Sequence, residues 1–332
     1  MTEQTEDSGR SGLSRRRLLG LASGAVLAGL AGCSGDDGDG GDDGTTEPTE
    51  TGTATSTATT TPTETATPTA TPTPTPDPWT DLFNGEDIED WTPKFSGEDL
   101  GVNHKNAYRV EDGILTVSYD DHADASEVEF GHLFYDGDYL DGTFSHYALR
   151  IEYRFHNGPF PPEMTEDNKA NYRGAFLNSG VMLHGPRAEN ATDYTPEFPN
   201  YPASLEMQFL GQREDDDDER PTANLCTPST QVALEDGGPM SSQHCVNSSS
   251  DTYRGDQWVT ATAVVRGNDQ IRHHVEGEEV LSYYDPQLND GTPLSEGTIS
   301  IQAEGSPIQF RTVELRPIPS AAPLGEGYTP GA

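Results

Sequence analysis

The stretch Tyr147–His156, "YALRIEYRFH", decides the fold. Tyr147, Leu149, Ile151, Tyr153 and Phe155 fall on one side of a period of two. Arg150, Glu152, Arg154 and His156 fall on the other. Successive side chains of a strand point to opposite faces, so this run predicts a strand with one apolar and one charged face. Worked outward, the same rule predicts strands at Ala107–Val110, Ile114–Tyr119, Gly131–Phe134, Val181–His184 and Leu205–Leu210. Further strands are predicted at Trp258–Arg266, Gln270–Glu276, Glu279–Tyr284, Gly297–Ala303 and Ile308–Arg316. Turn residues separate them, as in Glu111-Asp112-Gly113, Arg266-Gly267-Asn268-Asp269 and Glu276-Gly277. No long stretch carries a helical period. The pattern predicts an all-β sandwich of two antiparallel sheets, interrupted by long connections at Asn157–Asn178, Pro186–Pro202 and Gly211–Asp256.

Two strands carry unusual polar residues. Glu206 and Gln208 lie opposite Leu205, Met207 and Phe209, while Asn178, Gly180 and His184 lie opposite Val181 and Leu183. If these strands neighbour Tyr147–His156 in one sheet, one face gathers Glu206, Gln208, Asn178, His184, Arg150, Glu152 and Arg154. Such a face is either the ordinary wet side of a half-buried sheet or the floor of a site for sugar hydroxyls.

The chain ends lie outside this pattern. Ser14-Arg15-Arg16-Arg17-Leu18-Leu19 has a twin-arginine form and is followed by an apolar run to Ala31 that is short for a membrane span. Leu30-Ala31-Gly32-Cys33 resembles a lipobox, which makes Cys33 the expected lipidated N-terminus. An uncleaved anchor or a plain secretory signal are the alternatives, and each puts the remainder outside the cell. Residues 34–78 are Gly/Asp-rich and then Thr/Pro-rich, too poor in apolar volume for a core, and read as an extended stalk. The expected organisation is a signal at 1–33, a stalk at 34–78, a folded domain at 79–319 and a loose tail at 320–332. The expected location is the cell surface, with a lipid anchor in the membrane.

The formal net charge is −38, from 57 acidic and 19 basic residues. No basic patch exists for nucleic acid to bind. Self-repulsion on this scale opposes compaction in dilute buffer, and concentrated salt, with a Debye length of about 3 Å at 1 M, screens it. The balance resembles that of proteins from extreme halophiles. The run Asp215-Asp216-Asp217-Asp218 lacks the spacing of an EF-hand and reads as a solvated loop, with calcium binding as the alternative. With Cys33 lipidated, Cys226 and Cys245 are left as an expected extracellular disulfide, worth roughly 3 kcal/mol in the chain-entropy model. A Cys/His zinc site with His244 is the alternative. Asn190-Ala191-Thr192 and Asn247-Ser248-Ser249 are sequons.

The motifs line up in order with one family. Leu82-Phe83-Asn84-Gly85 with Trp91, Tyr108-Arg109-Val110-Glu111-Asp112-Gly113-Ile114-Leu115, Asn178-Ser179-Gly180-Val181-Met182-Leu183 and Leu205-Glu206-Met207-Gln208 resemble motifs of the 3-keto-disaccharide hydrolase family. So do Trp258, Ile271-Arg272-His273-His274-Val275-Glu276-Gly277 and Ile299–Arg311, "ISIQAEGSPIQFR". The sequence departs from the family pattern at His184, where many members have Arg, at Glu304, where many have His, and at Glu276, where an Asn-Gly turn is usual. The resemblance implies a concanavalin-like jelly roll with a sugar site on one sheet.

It also implies a reaction on a glycoside already oxidised at C3. The ketone acidifies the C2 proton, a base removes it, the C1 oxygen leaves, and water later adds to the unsaturated sugar. This route needs a base, a stabiliser for the enolate oxygen and an acid for the leaving group. It differs from the usual carboxylate pair of glycosidases. On this reading Glu206 or His184 is the base, or a ligand of a divalent metal that polarises the ketone. His273 and Arg154 are candidates for acid and enolate stabiliser. Gln208, Asn178, Arg150, Tyr172 and His244 are candidates for holding substrate, and Tyr194, Phe198, Tyr201 and Tyr253 are further aromatics in or beside the long connections. The alternative is a lectin-like module that binds carbohydrate without cleaving it, because sandwich folds serve both ends.

Overall fold

The computed structural model describes residues 79–122, 129–155, 177–191, 201–212 and 219–320. Cys33 and the signal, the stalk, Tyr172, the run at Asp215–Asp218 and most of the tail lie outside the described residues. The strands are β1 (Thr80–Asp81), β2 (Trp91–Phe95), β3 (Tyr108–Glu111), β4 (Ile114–Val117), β5 (Gly131–Tyr135), β6 (His146–Phe155), β7 (Asn178–Gly185) and β8 (Leu205–Leu210). They continue with β9 (Asn224–Cys226), β10 (Thr230–Ala233), β11 (Cys245–Val246), β12 (Val259–Arg266), β13 (Gln270–Val275), β14 (Glu278–Leu288), β15 (Thr298–Ala303) and β16 (Ile308–Pro317).

They form two antiparallel sheets, the expected jelly-roll sandwich. One has nine strands, in the order β10-β14-β13-β12-β6-β16-β4-β3 with β1 beside β16. The other has seven, in the order β11-β9-β8-β7-β15-β5-β2. The tight turns sit where their residues permit a positive φ: Asp112-Gly113 between β3 and β4 and Glu276-Gly277 between β13 and β14.

The inner faces make one core. Tyr147, Leu149, Ile151, Tyr153 and Phe155 of β6 meet Val181 and Leu183 of β7, Leu205, Met207 and Phe209 of β8, and Ile299 and Ile301 of β15. Tyr153 stacks on Phe209, with centroids 4.1 Å apart. Two tyrosines tie the sheets through their hydroxyls. Tyr108 donates to the Ile301 carbonyl at 2.9 Å, and Tyr119 accepts from the Gly305 amide at 2.7 Å.

The expected long connection 211–256 is not structureless. It contributes β9 and β11 to the edge of the seven-stranded sheet and β10 to the edge of the nine-stranded one. These strands are two to four residues long, too short to display a period. Cys226 and Cys245 are paired across β9 and β11 and form the expected disulfide. β2 was also missed, because Pro93 interrupts its pattern; it lies at the sheet edge, where a missing N–H is tolerated.

Phe209→Ala removes one half of the inter-sheet stack and leaves a cavity between rigid sheets. We expect a loss of about 3–5 kcal/mol, read as a lower denaturant midpoint at unchanged slope.

Candidate active-site cleft

The core fixes what faces out. With Leu205, Met207 and Phe209 turned inward, Glu206 and Gln208 stand on the outer face of the seven-stranded sheet. Ile299, Ile301 and Ala303 turn inward from β15, so Ser300, Gln302 and Glu304 share that outer face. A cleft of about 410 Å³ opens there, lined by Asn178, Tyr201, Glu206, Gln208, Arg220 and His244, with Glu304, Leu210, Pro228 and the Cys226–Cys245 pair completing it.

Each lining group is held by a neighbour. Asn178 donates through Nδ2 to Glu304 Oε2 at 2.5 Å, and the Tyr201 hydroxyl donates to Glu304 Oε1. Gln208 Oε1 accepts from Asn224 Nδ2 at 3.3 Å, which turns the Gln208 N–H groups away from that contact. Arg220 donates to the Gly211 carbonyl at 3.0 Å. His244 precedes the disulfide on β11, and its carbonyl accepts from the Thr227 amide at 2.9 Å. The disulfide therefore fixes the strand that brings His244 to the rim. Glu206 is 4 % exposed and Glu304 2 %. Gly180 lies beside them on β7, and a Cβ placed on it would stand 2.8 Å from Glu206 Oε1. The bare glycine is the space into which that carboxylate leans.

Of the residues singled out in the sequence, Asn178, Glu206, Gln208 and His244 come together in this cleft. Tyr201, one of the loop aromatics, joins them. Arg150 and Arg154 do not. They belong to β6, which is in the nine-stranded sheet, so the core separates them from Glu206. On that opposite face the Arg150 guanidinium lies 4.3 Å from the Trp79 ring centroid and pairs with Glu314. Arg154 lies 4.6 Å from the Trp258 centroid and donates to Gln309 at 2.8 Å. Glu152 pairs there with Arg311, which holds its carboxyl below the usual range.

His273 is also displaced. Ile271, His273 and Val275 alternate together, so the imidazole is carried into the core with the two apolar residues. Its Nδ1 donates to the Ala223 carbonyl at 2.9 Å and its Nε2 accepts from the Tyr283 hydroxyl at 3.0 Å. His184 leaves the outer face for a different reason. Its φ is +53°, beside a register shift where β15 passes β7. The ring turns edge-on to Tyr147, and its Nε2 donates to the Gly267 carbonyl at 3.0 Å. Neither ring reaches the cleft.

Glu304 and Arg220 line the cleft without having been singled out as site residues. Glu304 had a signal, since it keeps phase with Ser300 and Gln302 against Ile299, Ile301 and Ala303. Arg220 had none, because it lies outside any periodic run. Among the described residues, no three His, Cys, Asp or Glu side chains are grouped to hold a metal ion.

The 3-keto-alpha-glucoside-1,2-lyase-like domain model matches residues 78–316. The chain belongs to this family. No curated protein matches it. Among solved structures, it is similar to a candidate glycosyl hydrolase from Parabacteroides distasonis ATCC 8503, at 14 % identity and TM-score 0.40, covering 73 % of this chain and 94 % of that one. A galectin-like protein of unknown function from Bacillus subtilis is similar at 12 % identity and TM-score 0.41, covering 72 % and 94 %. A carbohydrate-binding module from Bacillus subtilis is similar at 9 % identity and TM-score 0.33, covering 73 % and 96 %. At such scores none of the three bears on what this family member does.

The displaced histidines have a measurable consequence. Burial holds both His184 and His273 down to a pKa of about 4. In the unfolded chain each binds its proton near pH 6.5. Between these values the unfolded state holds more protons, so stability falls as the pH drops from about 6.5 to about 4, by up to roughly 1.4 kcal/mol per pH unit for each ring. In NMR, the imidazole resonances of both should stay fixed from about pH 8 to about pH 5. A midpoint near 6.5 for either would mean that it is not buried as described.

Proposed function

We propose that the chain cleaves the glycosidic bond of 3-keto-glycosides by abstraction of the C2 proton, elimination of the C1 oxygen and hydration of the product. One observation carries this reading: the strands of a family-matched domain gather Glu206, Glu304, Asn178, Gln208 and Tyr201 in a single cleft. Glu206 is the base. It is screened from bulk water, and the bare Gly180 gives its side chain the room it occupies beside β7. Glu304, which accepts from Asn178 and the Tyr201 hydroxyl in the resting protein, passes a proton to the departing oxygen. Gln208, Asn178, Arg220 and His244 orient sugar hydroxyls. The twin-arginine pattern and Cys33 support placing this activity at the cell surface on a lipid anchor.

The test is turnover of a 3-keto-glucoside against its unoxidised parent, with the full chain in concentrated salt. Cleavage of the keto form alone is expected. Binding of both without cleavage would make the protein a carbohydrate-binding module. Glu206→Gln should lower kcat by about 10²–10⁴-fold with the melting temperature unchanged. Gly180→Ala places a Cβ 2.8 Å from Glu206 Oε1, 3.0 Å from its Cγ and 3.2 Å from the Met207 carbonyl, so it should push the Glu206 side chain aside and lower kcat by about 10–10²-fold, with a small drop in melting temperature. Full activity of Glu206→Gln would remove this residue from the mechanism.

A further inference from the structure

Arg154 and His273 are absent from the cleft, so the elimination lacks a partner for the enolate oxygen. Gln302 has the chemistry for one. Its strand neighbours Ile301 and Ala303 face the core, so its amide lies on the outer face with Glu304. Ile301 pairs with Val181, which sets Gln302 beside Gly180, and Gln302 itself pairs with His132 on its other side. The residue is 1 % exposed, yet neither its Nε2 nor its Oε1 has a hydrogen-bond partner. Native proteins rarely bury an amide with both ends unsatisfied, since nothing offsets its desolvation.

Its surroundings suggest what completes it. Gly180 leaves bare backbone between Gln302 and Gln208, which pairs with Gly180 from the other side. The Glu206 carboxylate leans over that same glycine. The Glu206 carboxylate and the Gln302 amide thus lie on the same outer face beside Gly180. Asn178 Oδ1 and Ser300 Oγ, on the same face, are also buried without partners. Tyr201 lies over this face: its ring centroid is 5.9 Å from His132, and its hydroxyl bonds Glu304. Those two residues flank Gln302 across the sheet and along its strand.

We infer that the Gln302 amide is the donor that receives the developing enolate oxygen, reached when Tyr201 swings aside for substrate. This rests on the reading of the cleft as a 3-keto-glycoside site. Glu206 takes the C2 proton. The C–H electron pair becomes the C2–C3 double bond, and the carbonyl pair moves onto the C3 oxygen, to which Gln302 Nε2–H donates. Collapse restores the ketone, forms the C1–C2 double bond and breaks the bond from C1 to the leaving oxygen, which takes a proton. C2 and C3 are adjacent in the sugar, so base and donor must be neighbours in the site. Gly180 makes Glu206 and Gln302 neighbours although a strand lies between theirs. A neutral amide suits the role because it donates without giving up its proton to the base.

The experiment compares the full wild-type chain with Gln302→Leu and Gln302→Glu on a 3-keto-glucoside. Both variants should lose about 10²–10³-fold in kcat with little change in KM, the size expected for one lost oxyanion donor. Gln302→Leu should melt at the same temperature or higher, because it removes a buried group that the fold leaves unsatisfied. Activity within about threefold of wild type in Gln302→Leu would overturn the inference while leaving the function intact. Loss of activity together with a clear drop in melting temperature would also overturn it, by making the amide a structural group. No turnover by the wild type would remove the reading of the cleft and this inference with it.

Discussion

Everything in this molecule follows from one shared interior. Tyr153 of one sheet stacks on Phe209 of the other, and around that contact the inner faces of both sheets close into one apolar layer. A strand alternates, so once one face is committed to this layer the other face must look away from it. The sandwich therefore has two separate outer faces with no side chain passing between them. The nine-stranded sheet presents Arg150, Glu152 and Arg154. The seven-stranded sheet presents Glu206, Gln208 and Asn178. Which chemistry can assemble is decided by sheet membership, not by residue type.

Sheet membership is what the sequence withholds. The alternation of β6 and β8 is legible, and so are the turns at Asp112-Gly113 and Glu276-Gly277, because each depends on neighbours in the chain. That Glu206 and Gln208 face outward was readable from Leu205, Met207 and Phe209. The phase of His273 with Ile271 and Val275 was equally readable and pointed into the core, against its suggested role as an acid. Placing Arg154 beside Glu206, by contrast, required β6 and β8 to share a sheet, and no local pattern speaks to that. His184 defeats the rule in another way. A residue at φ +53° no longer obeys the alternation of its strand, and nothing in "VMLHG" announces that angle. Arg220 and the strands β9 to β11 lie in an insert whose pieces are shorter than any period.

The insert also gives the site its wall. β9 and β11 extend the seven-stranded sheet beyond β8, and the Cys226–Cys245 bond locks them edge to edge beside Glu206. Without them Glu206 would stand near the sheet edge, open to water on that side. These strands add Leu225 to the core, and for the function proposed above they would also keep water from the Glu206 carboxylate. The basic residues of the opposite face are engaged differently. Arg150 and Arg316 lie against Trp79, and Arg154 and Arg311 against Trp258, so these cations are held by ring faces within a chain of strong negative charge.

The outer face of the seven-stranded sheet is not built for stability. Gln302, Ser300 and Asn178 each keep a buried polar atom without a partner, while the core side of the same strands is packed without interruption. A sheet can sustain that asymmetry because its two faces are energetically almost independent: the apolar layer holds the strands in register, and the register then holds the polar groups where they are. For the function proposed above, such donors would not need to turn toward the charge when it forms, and the energy of leaving them unmatched in the resting protein would be recovered when a substrate oxygen arrives. Gly180 completes the arrangement by absence. On a strand flanked by Gln208 and Gln302, it leaves the space that the Glu206 side chain occupies.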